Sequence, residues 1–312
     1  MFAPIILFVY NRPLHTQQVV DALQRCELAE ECDLFIFADG PKTNATEEQK
    51  TNISEVRKYI HTIDGFHSIT IEESETNKGL ANSVIAGVTK VIEKHGKVIV
   101  VEDDIVVHPF FLRFMNEALD FYEHDSRIFM VGGCRLKFKI PWWYFHDIYI
   151  LHRSCSWGWA TWKDRWLMAD WEISDYNTFI NNQKEVELFC RGGRDMIHML
   201  QQQIEGKIDS WAIRWDYCMY KHDGFCLWPK YSLVNNIGFD NSGIHCGKNT
   251  KIKMPSLNKK YSNKFVKNIA ANNTLEKSFY NFCNSEPQIA YSKRVKKLAK
   301  QILKKIKVQR CI

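Results

Sequence analysis

Lys97-Val98-Ile99-Val100-Val101-Glu102-Asp103-Asp104-Ile105-Val106-Val107 decides how this chain folds. Val98 to Val101 is a short, wholly β-branched run, the pattern of a strand buried on both faces. Three carboxylates follow it without a break, and the apolar pattern resumes at Ile105. Carboxylates that close a buried strand do not stabilise it, since an unpaired charge near the core is costly or must be neutralised. A divalent cation removes that difficulty: hard oxygen ligands take Mg2+ or Mn2+, which then holds the phosphates of a substrate. In open α/β sheets ligands bind beyond the carboxyl ends of the strands, where this triplet falls. The bland alternative is a solvated turn that happens to be acidic.

Working outward, the first half alternates between strands and helices. Strand 4–10 leads through Asn11-Arg12-Pro13 to an amphipathic helix near 15–25. Asp33 to Ala38 is a second strand, ending at the turn Asp39-Gly40-Pro41-Lys42. A polar helix over 46–62, a strand over 68–72, a helix near 80–95 and the strand 97–101 follow. A helix near 109–123 and Ile128-Phe129-Met130-Val131-Gly132-Gly133 complete the series. This order predicts a mainly parallel sheet with helices on both faces.

The chain of 312 residues, 45% hydrophobic, has enough apolar content for a sizeable core. Its net charge of +6 is uneven, because Lys and Arg dominate the last sixty or so residues. No apolar run approaches the ~20 residues needed to span a bilayer. The start, Met1 to Tyr10, lacks a basic leader and a small-residue cleavage site, and reads as a first strand. Ten cysteines without a C-x-x-C pair suggest reduced thiols and a cytoplasmic setting.

Character changes after about residue 140. All ten tryptophans lie between Trp142 and Trp228. Aromatic rings stack on the apolar faces of sugars, so an aromatic-lined acceptor cleft is one expectation and a well-packed second half is the other. Near the end, Lys293 to Lys307 is helical in pattern, with Val295, Leu298, Ile302 and Ile306 on one stripe among lysines. That suits an anionic membrane surface, or else a solvated helix docked by its thin stripe.

Taken in order, these motifs resemble the nucleotide-sugar-dependent glycosyltransferases of the GT-A fold, most of all bacterial relatives of N-acetylglucosaminyltransferase I. The likeness runs from residue 3 to about 247. It rests on the strand with Glu102-Asp103-Asp104, on Cys155-Ser156-Trp157-Gly158-Trp159, and on Asn236-Ile237-Gly238-Phe239-Asp240-Asn241-Ser242-Gly243-Ile244-His245-Cys246-Gly247. The resemblance implies residues 1–247 as a GT-A domain, with 1–135 binding the nucleotide-sugar and 136–247 on the acceptor side. Residues 248–312 would be a basic extension. Tyr10, Asn11 and Arg12 match the opening nucleotide-contacting turn, and Asp39 matches the acid that reads a uracil ring. Asn77, Lys78 and Gly79 match the segment facing ribose and sugar. Glu102, Asp103 and Asp104 correspond to the family's metal motif. His245 matches a late histidine that approaches the metal or diphosphate, which favours Mn2+ over Mg2+.

The implied reaction is a metal-dependent, inverting transfer of a GlcNAc-type sugar from a UDP-sugar to a glycan or lipid-linked acceptor, in bacterial surface polysaccharide synthesis. A carboxylate would take the proton of the acceptor hydroxyl. Two acids compete for that role in Ile208-Asp209-Ser210-Trp211-Ala212-Ile213-Arg214-Trp215-Asp216. Asp209 is preferred, although it also reads as a helix N-cap, and Asp216 also reads as a surface acid paired with Lys or Arg. Strand alternation sends Asp103 and Asp104 to opposite sides, giving the metal to Asp104 and placing Asp103 nearer the ribose or behind the metal's direct ligands. Arg12, Lys78 and Arg214 are candidate diphosphate or acceptor contacts. Localisation would be cytoplasmic, with peripheral contact on the inner membrane face through the C-terminal helix.

Three other classes compete. A nucleotidyltransferase would carry a Gly-rich basic loop after its first strand, where this chain has Tyr10-Asn11-Arg12-Pro13-Leu14. A non-catalytic carbohydrate-binding protein would explain the tryptophans but not the acids. Nucleic-acid binding has only the basic tail in its favour.

Overall fold

The computed structural model describes residues 2–240 and 264–284. Its elements in chain order are β1 (Ile5–Val9), α1 (Pro13–Gln24), β2 (Asp33–Ala38), α2 (Glu47–Ile60), β3 (Ser68–Glu73), α3 (Leu80–His95), β4 (Lys97–Glu102) and β5 (Ile105–Val107). Next come α4 (Phe111–Tyr122), β6 (Ile128–Gly132), β7 (Ile148–Leu151), β8 (Trp159–Trp162), α5 (Lys163–Trp166), α6 (Tyr176–Ile180) and α7 (Gln183–Phe189). The last are α8 (Asp195–Ile204), α9 (Trp211–Lys221), β9 (Phe225–Pro229), β10 (Val234–Asn236) and α10 (Asn273–Asn284).

Local chemistry explains the helix ends. Pro13 opens α1 with its φ already set for a helix, and its missing N–H has no partner to lose there. Thr46 and Gln49 close a reciprocal capping box on α2. Gly96 ends α3 in the left-handed region at φ +76°, which a residue with a Cβ would resist.

The main sheet runs β3-β2-β1-β4-β8-β6-β9-β7. Strands β1 to β4 are parallel neighbours, β8 enters antiparallel between β4 and β6, and β7 closes the edge antiparallel to β9. The sheet is thus mainly parallel, as the alternation predicts. Its faces are covered on both sides. Trp159 and Trp162 lie three apart on β8 and so face opposite ways. Trp159 stacks on Trp211 of α9 with centroids 4.7 Å apart. Trp162 donates its indole N–H to the Leu119 carbonyl of α4 at 3.0 Å.

Most tryptophans fill the core and do not line a cleft. Trp159, Trp162, Trp166, Trp211, Trp215 and Trp228 are buried. Trp159, Trp166, Trp171, Trp211 and Trp215 form a layer with centroid separations of 4.6 to 6.1 Å. α5, which carries Trp166, has only four residues, and the large rings supply apolar area there.

The core also passes residue 247. Ile269, Leu275 and Phe279 are buried in it, and the Tyr122 hydroxyl donates to the Val266 carbonyl at 2.9 Å. The expected helix over 293–307 and His245 lie outside the described residues. Among the described residues no helix is long and apolar enough to cross a membrane.

Candidate active site at the carboxyl edge of the sheet

Strands β1, β2, β3 and β4 all point the same way, so the segments that follow them meet at one edge. After β1, Arg12 turns its guanidinium onto the acids that follow β4. It pairs with Asp103 and, at 3.1 Å, with Asp104. Asp103 and Asp104 therefore converge on one cation and do not diverge as alternation predicts. The reason is local: β4 ends at Glu102, and the two aspartates form the turn into β5, where period-2 alternation no longer holds.

The electrostatics of this cluster follow from crowding. Burial, then the charges of Asp104 and Asp103, push Glu102 up to about 8. Burial also raises Asp103, against the pull of Arg12. For Arg12, burial alone would lower the pKa, but the two aspartates together outweigh it and raise it. Three acids thus share a single guanidinium, and the cluster favours more positive charge.

A second segment closes over this turn. β10 pairs antiparallel with β5, and Ile237 N–H donates to the Asp104 carbonyl at 2.9 Å. Gly238 approaches so closely that a Cβ there would collide with Asp104 Oδ2 and lie 3.2 Å from the Arg12 guanidinium. Any larger residue there would displace the Asp104 carboxylate from this position. Next to it His15 faces Asp240 at 3.1 Å, and Trp157 of the Ser-Trp-Gly-Trp motif meets Phe239 edge-on at 5.6 Å. The closing motif reaches the acidic triplet before residue 241.

At the ends of β2 and β3 a further group of expected residues comes together. Asp39 accepts from the backbone N–H of Gly40 and of Lys78 through Oδ1, both at 2.9 Å. Its Oδ2 accepts from Asn77 Nδ2 at 2.9 Å. The Tyr10 hydroxyl is buried, and burial raises its pKa against the pull of the Lys42 backbone, with Asp39 nearby adding to the rise. A buried hydroxyl beside a well-oriented carboxylate keeps donor and acceptor capacity for a polar ligand.

Asp209 and Asp216 separate clearly. Ser210, not Asp209, caps α9, its hydroxyl accepting from Ile213 N–H at 3.4 Å. Asp209 is free to reach across to α3, where Oδ2 accepts from Ala81 N–H at 3.2 Å. Gly79, at φ +80°, packs under it, and a Cβ there would sit 2.8 Å from Asp209 Oδ2. Arg214 lies 3.7 Å from Asp209 Oδ1. Asp209 thus stands beside Asn77-Lys78-Gly79, half-exposed, at the positive end of α3. Asp216 is buried and is not a surface acid: it accepts from Ser154 N–H at 2.6 Å, and burial pushes it up to about 6.

The sequence reading missed two features of this edge. One is Arg12 as the counter-ion of both aspartates; the other is the Gly238 approach to Asp104. Arg12 reads in the sequence as a nucleotide or diphosphate contact and not as a partner of the acids, and Gly238 only as one glycine of a motif. Both depend on strands that meet in space.

No protein-family model matches the chain, and no curated protein sequence does either. Solved structures do show similarity. TarS 1–349 of S. aureus aligns at 12% identity and TM-score 0.43, covering 75% of this chain and 60% of its own. The mannosyltransferase PcManGT from Pyrobaculum calidifontis, in complex with GDP-Man and Mn2+, aligns at 12% identity and TM-score 0.32, over 43% of this chain and 35% of its own. Glucosyl-3-phosphoglycerate synthase from Mycobacterium tuberculosis, in complex with Mn2+, UDP and glucosyl-3-phosphoglycerate, aligns at 12% identity and TM-score 0.28, over 42% of this chain and 43% of its own. In each case the match spans less than two thirds of the solved chain.

Proposed function

We propose that this chain is a GT-A type, metal-dependent, inverting glycosyltransferase that uses a UDP-sugar of the GlcNAc type. Its acceptor would be a glycan or a lipid-linked glycan in bacterial surface polysaccharide synthesis. One observation carries the reading: Arg12-Asp103-Asp104, Tyr10-Asp39-Asn77-Lys78 and Asp209 all gather at the carboxyl edge of one parallel sheet. That is where open α/β sheets bind nucleotides.

The donor set fits a hard divalent ion. Among the described residues no three His, Cys, Asp or Glu side chains converge to hold a metal by themselves. Two do, Asp103 and Asp104, joined by the Arg12 they share. Two carboxylates suit Mg2+ or Mn2+, which keep waters and substrate phosphates as their other ligands. His245 would add a ligand by sequence resemblance alone. When bound, the ion neutralises charge on the departing diphosphate.

The chain's own residues do the rest. Asp39, fixed by Asn77 and Lys78, retains acceptor capacity toward a base or ribose. Tyr10 borders the same position, and Gly79 leaves the space that Asp209 occupies. Asp209 would accept the proton of the acceptor hydroxyl, its carboxylate already oriented by Ala81 N–H. The basic stripe over 293–307 would add peripheral contact with an anionic inner membrane face.

UDP- and GDP-sugars incubated with Mn2+ and scored for nucleotide release test the reading directly. Release from a UDP-sugar is expected, and Asp104→Asn should reduce it to background with an unchanged melting temperature. Full metal-dependent release by that variant would sink the assignment.

A further inference from the structure

The loop between β6 and β7 displays aromatic side chains that the fold does not use. It leaves Gly132 and returns at Ile148. β6 runs parallel to β1 and β4 through two reversals at β8, and β7 enters from the opposite direction. The loop therefore sits at the same edge as the acidic triplet.

Two of its aromatics point inward and hold it in place. Phe138 is buried against Tyr149 and Phe279, and buried Tyr144 donates its hydroxyl to the Ile148 carbonyl at 2.7 Å. Lys230 Nζ donates to the Tyr144 carbonyl at 2.8 Å, and Ser278 Oγ donates to the Lys139 carbonyl at 2.6 Å. Between these anchors Trp142 is 87% exposed, Phe145 78% and Trp143 43%, with Tyr231 at 50%. The display is thus fixed in place by its neighbours.

Charge and shape say what it meets. Lys137 and Lys139 are exposed, and among the described residues no acid pairs with either. The segment 135–147 carries Arg135, Lys137 and Lys139 against a single acid, Asp147. A sugar site would be concave, with rings partly enclosed, whereas Trp142 protrudes almost fully. Protruding Trp and Phe among lysines are the composition of a membrane-interface element.

We infer that the 135–147 loop docks this protein on an anionic lipid bilayer, with Trp142, Trp143 and Phe145 entering the interfacial layer and Lys137 and Lys139 facing its headgroups. Docking at this edge would bring the candidate site to a lipid-borne substrate. That consequence rests on the transferase reading; bilayer binding itself does not.

The test uses the full chain with vesicles of phosphatidylcholine containing 30 mol% phosphatidylglycerol, vesicles of phosphatidylcholine alone, and soluble chitotetraose. Co-sedimentation and amide hydrogen exchange are read together. Expected are partitioning to the anionic vesicles and exchange protection centred on 139–147. Trp142→Ala combined with Phe145→Ala should remove that protection and weaken partitioning at least about tenfold. Lys137→Ala with Lys139→Ala should weaken it roughly thirtyfold and flatten its salt dependence, each lysine being worth about 1 kcal/mol near such a surface. All four residues are at the surface, so these variants should fold. Partitioning unchanged in the aromatic variant, or vesicle protection confined to other segments, overturns the inference. Loop protection by chitotetraose but not by vesicles also overturns it, in favour of a glycan contact. Nucleotide release from UDP-sugars, measured on the same variants, keeps a failed bilayer test apart from a failed transferase reading.

Discussion

The carboxyl edge of β1–β4 and the tryptophan layer beneath β8 use unusual residues for opposite ends. At the edge, acids and cations sit where strands stop: Asp103, Asp104 and Arg12 hold one another, and Asp39 holds Asn77 and Lys78. In the layer, Trp159, Trp166, Trp211 and Trp215 are almost wholly buried, with their rings meeting in succession. The difference teaches that residue rarity alone does not mark a site. Position does: charged groups are retained at strand ends at a cost to stability, while rings in the interior repay burial directly.

The most damaging single change should therefore fall in the layer and not at the edge. Trp159→Ala removes a buried indole stacked between Trp166 and Trp211. A loss of about 3–5 kcal/mol in denaturant unfolding is expected. Asp104→Asn measured alongside should change stability far less while removing transfer. Equal destabilisation by the two would erase the distinction between the regions.

Next in size is the comparison between two acids on one segment. Asp209→Asn should lower turnover at least about a hundredfold, near 2.7 kcal/mol in barrier, with nucleotide affinity little changed. Asp216→Asn should leave turnover within a few-fold, because Asp216 is enclosed by Ser154 and the core. The reverse pattern would move the base into the interior and break the division drawn above.

How far the sequence showed this depends on where structure is set locally. The helix over 80–95 and the strand at 97 are legible because apolar periodicity and a terminal Gly are sufficient to define them. The four residues of β8 carry no such signal, being aromatic and too short for a period, yet they insert between β4 and β6. At the site, the triplet and Asp39 were legible as acids ending strands. That Asp103 and Asp104 converge on Arg12 was not, since it depends on the turn at residue 103 and on β1 pairing with β4. The contact of Asp209 with α3 was equally hidden, because it joins residues 128 apart in sequence.

The smallest effect expected is a pH dependence from the interior acid. Burial raises Asp216 to about 6, opposed by the nearby Arg153 charge and the Ser154 N–H and reinforced by Asp195, which Arg153 also holds at 2.7–2.8 Å. In the unfolded chain the same carboxyl titrates near its ordinary value, about 4. Between these values the folded protein binds the proton more tightly, so this group's contribution to stability falls as pH rises from about 4 through 6. Going from pH 7 to pH 5 should therefore stabilise the wild type, through this group, by roughly 1 kcal/mol. Asp216→Asn keeps an oxygen to accept from Ser154 but has no proton to gain. The difference in unfolding free energy between wild type and this variant should change by that amount between the two pH values, the variant gaining relatively at pH 7. A difference that stays constant with pH would mean that Asp216 is ionised throughout. The interior would then tolerate charge as readily as the edge does.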